Sequence, residues 1–113
     1  MKYVCLIYLD EEKRDFISDA ECESYSQELD QNGYRLAAES LDSVLTATTI
    51  RVRNGKTSVT DGPFAETREQ LGGFYLIEAR DLNEAIRVAS KIPAARLGSI
   101  EVRPVRALNP QLS

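Results

Sequence analysis

Ala47 to Ala79, ATTIRVRNGKTSVTDGPFAETREQLGGFYLIEA, decides how this chain is read. Asn54-Gly55 is the strongest two-residue signal for a tight hairpin, because both positions accept the positive φ that such a turn needs. With the turn there, Arg53 faces Lys56, Val52 faces Thr57, Arg51 faces Ser58 and Ile50 faces Val59. One face of the ribbon then carries Ile50, Val52, Thr57 and Val59, and the other Arg51, Arg53, Lys56 and Ser58. The apolar face is expected to look into the core. Asp61-Gly62-Pro63-Phe64 follows. If the alternation continues, Asp61 falls on that inward face, where a carboxylate needs donors or a cation. Two readings stay open. Asp-Gly-Pro turns the chain, with Asp61 bonding its own backbone two residues on. Alternatively, Asp61 serves as an acid, base or anchor, while Gly62 lets a ligand approach the backbone and Pro63 fixes the turn.

The rest of the chain builds outward from this ribbon. Residues 3–9 read as a strand apolar on both parities, as do residues 73–79. Ser18 and Glu21 form a capping box ahead of a helix whose inner face is Cys22, Tyr25 and Leu29, closed by Gly33. Residues 34–40 read as a short strand. Asp81 opens a second helix with a stripe of Leu82, Ala85, Ile86, Ala89 and Ile92, stopped by Pro93. Residues 99–105 form the last strand, with Ile100 and Val102 inward and Pro104 marking a sheet edge. Glu66, Arg68, Glu69 and Gln70 read as a solvated turn. Gly72-Gly73 reads as a bulge.

The order β-α-β, hairpin, β-α-β points to an α+β fold of ferredoxin-like type, with two helices on one face of an antiparallel sheet. It fills a single domain over residues 1–106, with a flexible tail at 107–113. Two strands apolar on both faces leave the uncovered side of the sheet without a partner. A second copy, sheet against sheet, would cover it, so a homodimer is expected.

Composition narrows the function. A net charge of −4 and a pI near 4.9 argue against a nucleic-acid partner. No apolar run reaches the ~20 residues that span a bilayer, and the start, MKYVCLIYLDEE, reads as a strand with no cleavage site, so cytoplasm is the expectation. The chain has no histidine. A Ser-His-Asp or Cys-His site within it is impossible, and the commonest metal ligand is gone. Cys5 and Cys22 fit no zinc or redox spacing and read as two buried, reduced thiols. Neither a metal nor a cofactor is expected. Glu39, Glu78 and Glu101 are expected to pair with Arg80 or Arg103, and Arg51 and Arg103 are the cations available to a carboxylated ligand.

TATTIRVRNGKTSVTDGPFAETREQLGGFYLIEARDLNEAIRVASKIP followed by GSIEVRPV closely resembles the YCII-related proteins of the DGPF type. The match runs from the opening strand nearly to the end and is weakest at the first helix. The resemblance implies a dimeric α+β barrel, a bacterial source and the cytoplasm. A related branch is proposed to be enzymatic through a histidine–aspartate pair, by analogy with muconolactone-isomerase-like barrels. Only the aspartate has a counterpart here, Asp61. The resemblance also implies a link to extracytoplasmic-function sigma factors. The resulting expectation is a small-molecule binder or an isomerase- or lyase-like enzyme. Asp61 would be catalytic, and Gly62, Pro63, Phe64, Arg51 and Arg103 would bind ligand. The alternative is a non-catalytic accessory protein of the sigma-factor system.

Overall fold

A computed structural model describes residues 1–108. The six strands are β1 (Lys2–Leu9), β2 (Arg35–Ser40), β3 (Thr48–Arg53), β4 (Lys56–Asp61), β5 (Gln70–Glu78) and β6 (Ser99–Pro104). The two helices are α1 (Asp19–Gln31) and α2 (Leu82–Ala89). Short 3₁₀ turns at Glu11–Phe16, Val44–Thr46 and Pro93–Arg96 join them.

Four strands form one antiparallel sheet in the order β2-β5-β1-β6. Without the hairpin, that is the ferredoxin-like arrangement of two interleaved βαβ units, with both helices on one face. Cross-strand rows show how alternation sorts the side chains. Ala38, Tyr75, Cys5 and Val102 stand in one row on the helix side. Glu39, Phe74, Leu6 and Glu101 stand in the next row on the open side, followed by Ala37, Leu76, Val4 and Arg103. β6 is an edge strand, as Pro104 requires.

The core lies between the sheet and the helices and is built from Tyr3, Cys5, Tyr75 and Ile77 against Tyr25, Leu29, Ala85, Val88, Ala89 and Ile92. Tyr25 meets Tyr75 edge to face at 5.4 Å, and its buried hydroxyl donates to the Val88 carbonyl at 2.7 Å. That one bond ties α1 to α2. Both expected caps form. Ser18 accepts from the Glu21 amide at 3.1 Å and Asp81 from the Glu84 amide at 2.9 Å. Glu21 does not reach back to close its box, because its carboxylate pairs with Arg96.

Three expectations change. α2 is rotated from the expected stripe: Ala85, Val88 and Ala89 are buried, while Leu82 and Ile86 are about half exposed. Small alanines let the helix backbone approach the sheet, and that decides which face is inner. Cys22 is exposed, since α1 turns Tyr25 and Leu29 inward instead. The largest change concerns the hairpin. Its register is as expected, pair for pair, with Asn54 and Gly55 at φ 52 and 74. It forms a separate two-stranded sheet, however, and β3 and β4 make extensive contact only with each other. All six residues of β4 are exposed, so its apolar face does not look into the core. The radius of gyration, 16.1 Å, records this projection; a compact chain of this length has about 13 Å. Ala107 and Leu108 lie beyond β6 without regular structure, and the rest of the expected tail, 109–113, falls outside the described residues.

Candidate functional site

Two turns face each other at the end of the open side of the sheet and flank a solvent-open cavity of about 570 Å³. Its floor is Tyr8 and Leu71, which are cross-strand partners. One wall is the 43–46 turn, with Val44 and Ala47; the other is Pro63, Phe64 and Ala65.

Each wall is held by a side chain distant in sequence or by the loop's own end. The Glu11 carboxylate accepts from the Val44 amide at 2.7 Å and from the Ser43 hydroxyl at 3.0 Å. The Gln70 side-chain amide donates to the carbonyls of Ala65 and Thr67 at 3.0 and 2.9 Å, so it fixes the loop after the motif. The motif's own turn is tied to β3. The Gly62 amide donates to the Ala47 carbonyl at 2.8 Å, and the Thr49 hydroxyl donates to the Gly62 carbonyl at 2.9 Å. Gly62 has φ 115, a conformation that side chains disfavour. The residue type and the two bonds together aim Pro63 and Phe64 at the cavity.

A polar chain runs from the floor. The Tyr8 hydroxyl donates to Glu101 at 3.2 Å, and Arg103 donates to the other Glu101 oxygen at 2.9 Å. Desolvation, then the hydrogen bond to Glu101, raises the Tyr8 hydroxyl above its ordinary value. The Arg103 hydrogen bond holds Glu101 below the usual carboxylate value. Tyr8 therefore stays neutral, and its oxygen can accept a bond from a ligand. Among the described residues, Asp42 and Glu69 are the ionisable carboxylates of the lining, which includes no lysine or arginine. Glu69 already accepts from Ser99.

The expected site residues do not gather in one place. Pro63 and Phe64 line the cavity, and Gly62 orients them. Arg51 lies on the hairpin with its guanidinium 5.7 Å from the Phe64 ring centre, outside the lining. Arg103 belongs to the edge strand and is committed to Glu101. Asp61 ends β4 opposite Thr48, is exposed, and lies outside the lining. No hydrogen bond to its carboxylate forms among the described residues, and the expected bond to its own backbone two residues on is impossible, because Pro63 has no N–H. Asp61 does share a face with Val59, as the alternation required; that face is solvent-exposed. Glu78 pairs with the N-terminal amine and Arg80 with Glu84. Tyr8, Glu11 and Gln70 were the residues that alternation and composition passed over. No local pattern marks them, because each acts across a sequence separation or through a loop.

A second concavity, about 470 Å³, lies on the helix side between α1, the 11–16 turn and β2. Ile7, Ala38 and Tyr75 contribute apolar surface, and Asp15, Asp19 and Glu23 add acidic groups. Among the described residues no cluster of His, Cys, Asp and Glu is placed to hold a metal, and no helix is long and apolar enough to cross a membrane.

A ferredoxin-like α+β domain with a projecting hairpin and a motif-walled cavity is the class of protein these features define. The chain belongs to the YCII-related domain family, whose model matches residues 1–109. It is also 40% identical over 119 residues to an uncharacterised protein of Rhizobium meliloti, covering 97% of this chain and 96% of that one.

Proposed function

We propose that this chain is a small-molecule-binding protein that works as a homodimer and takes its ligand in the cavity walled by Pro63 and Phe64. One observation carries the reading: Gly62 is bonded to β3 so that Pro63 and Phe64 form one side of a mostly apolar, solvent-open concavity beside Tyr8, with Phe64 itself 80% exposed. The chemistry of the lining favours an uncharged ring-bearing molecule with a hydroxyl or amide group. A carboxylate would meet Asp42 and Glu69 with no lining cation to pair with it. Isomerase- or lyase-type acid–base chemistry has little support from the Tyr8–Glu101 pair, because the tyrosine is raised and the glutamate lowered away from neutrality; the pair suits hydrogen bonding to a ligand. Asp61, exposed and without a hydrogen-bond donor among the described residues, fits an anchor for a ligand or a partner better than a base.

The test is a thermal-shift screen with a panel of phenols, cyclic alcohols, lactones and their monocarboxylates. Ligand at about a hundred times its dissociation constant should add about 2.7 kcal/mol, several degrees in melting temperature. Uncharged hits that vanish in Phe64→Ala and survive Asp61→Asn support this reading. Hits indifferent to Phe64→Ala would refute the cavity assignment. Hits lost in a folded Asp61→Asn would restore Asp61 as the central group. The accessory-protein reading retains one supporting observation, the exposed apolar hairpin, although that hairpin is basic and the rest of the chain acidic.

A further inference from the structure

The side chains that line the cavity can accept hydrogen bonds, but those that can donate have already done so. Among the described residues of the lining, the donors are Tyr8, Ser43, Thr46, Thr67 and Gln70. The Tyr8 hydroxyl donates to Glu101 at 3.2 Å and the Ser43 hydroxyl to Glu11 at 3.0 Å. Thr46 donates to the Ser43 carbonyl at 2.6 Å, and Thr67 to the Glu69 carbonyl at 2.7 Å. The Gln70 side-chain nitrogen has two protons, and they go to Ala65 and Thr67. The backbone of the 43–47 wall is spent in the same way. The amides of Ser43, Val44, Thr46 and Ala47 all have acceptors within the protein. Pro63, on the facing wall, has no N–H.

Acceptors remain. A hydroxyl that donates once keeps its oxygen lone pairs, so Tyr8 offers them at the floor. Asp42 Oδ1 accepts from the Ser43 amide at 2.7 Å and Glu69 Oε1 from Ser99 at 2.7 Å, which leaves each carboxylate a second oxygen. The Gln70 side-chain oxygen is an acceptor as well.

We propose that the cavity selects for hydrogen-bond donors: its ligand brings a hydroxyl O–H or an amide N–H, and an analogue of the same shape with acceptors alone is rejected. The inference rests on the ligand site of the preceding section and sets the polarity of the group that site recognises. A ketone, ether or lactone would leave its water partners on entry and meet only lone pairs, so its oxygen would stay unpaired. A phenol or a secondary amide would give its proton to Tyr8 or to a carboxylate.

The polarity of the floor is set by β6. Arg103 holds one Glu101 oxygen at 2.9 Å, and the other receives the Tyr8 proton. Glu101→Gln should reverse this. Arg103 would keep the amide oxygen, the amide N–H would turn to Tyr8, and the Tyr8 proton would turn to the cavity. Tyr8→Phe instead removes the floor acceptor and supplies no donor.

NMR titration of the labelled protein with phenol against anisole, and with cyclohexanol against cyclohexanone, tests the inference. Amide shifts of Leu71 and Phe64 report occupancy of the cavity. In the wild type, phenol and cyclohexanol should bind at least about tenfold more tightly than their partners. Glu101→Gln should shrink that ratio by gaining affinity for anisole and cyclohexanone. Tyr8→Phe should shrink it by losing affinity for phenol and cyclohexanol. Cavity shifts with equal affinities in the wild type would mean that a backbone amide of residues 64–69 serves the ligand. That result would overturn the donor rule and leave the site standing. A wild-type ratio unchanged in both variants would overturn the role of Tyr8. No cavity shift with any of the four compounds would overturn the site and the rule together.

Discussion

Two half-buried glycines should respond oppositely to alanine. Gly98 enters β6 against the central strand. A methyl group there would fall well inside contact distance of the Tyr8 carbonyl oxygen, with Leu9 Cδ1 at 3.1 Å and Leu9 Cα at 3.2 Å. Two of those three neighbours are backbone atoms of β1, which is paired on both sides and cannot give way without breaking a ladder. Overpacking costs ~1–3 kcal/mol, and a backbone obstacle places Gly98→Ala at the upper end. With about 4 °C per kcal/mol for a domain of this size, its melting temperature should fall by about 12 °C. At Gly72 the nearest atom to a methyl would be the Gln70 carbonyl oxygen at 4.0 Å, and the backbone is not left-handed. Gly72→Ala should leave the melting temperature unchanged or raise it by about 2 °C, because alanine narrows the unfolded ensemble. Differential scanning calorimetry of the pair decides. Gly98→Ala melting within about 2 °C of wild type, or both variants falling together, would refute the claim that backbone contact at Tyr8 fixes β6.

A thiol reagent at about pH 8 should modify exposed Cys22 in the folded protein, slowly because desolvation and the Glu21 and Asp19 carboxylates raise its thiol, and Cys5 only on unfolding, because burial encloses Cys5 and pushes its thiol up to about 11; two thiols reacting per folded chain would contradict the packing of β1. Stability should fall in acid. Hydrogen bonds from Arg96 and Arg103 hold Glu21 and Glu101 below their ordinary 4.5. Their contribution is therefore complete above that value and drains as pH falls through the lowered ones. Melting temperature against pH should show this slope, and Glu21→Gln should flatten it. Glu11→Ala frees the 43–46 turn and should cost about 1–2 kcal/mol in urea melts, with hydrogen–deuterium exchange rising at Val44; unchanged exchange there would remove Glu11 as the wall's support.

The hairpin shows how far the sequence could be read. Asn54-Gly55 sets the register through local backbone preference, so every pair from Arg53–Lys56 to Ile50–Val59 was legible. Alternation says that the two faces differ; it does not say what lies over either one. The inward placement of Val59 and Asp61 therefore had no local support, and the structure places both in solvent. α2 teaches the same lesson on a smaller scale. Leu82 and Ile86 looked like core by size, but Ala85 and Ala89 allow the closest approach, and closeness determined the rotation. The cavity was half legible. The motif gave Pro63 and Phe64, whereas Tyr8, Glu11 and Gln70 act through contacts that appear only once the chain is folded.

The root of the hairpin adjoins the proposed ligand cavity. Gly62 bonds to Ala47 and Thr49 at the base of β3, and the residues after it are the cavity wall. In the proposed homodimer, a partner that packs against this root would steady Pro63 and Phe64, so dimerisation and ligand binding should be coupled. Coupling between binding events is reciprocal. Thr49→Val removes the hydroxyl that bonds to the Gly62 carbonyl while keeping a β-branched side chain suited to the strand, at a cost of about 1 kcal/mol. If the root transmits order, this variant should weaken ligand binding and dimerisation together, and saturating ligand should tighten the wild-type dimer more than the variant's. Isothermal titration and sedimentation on the same samples read both constants. Ligand affinity that falls while the dimer constant stays fixed would mean that the Gly62 turn shapes the cavity alone and takes no part in the dimer.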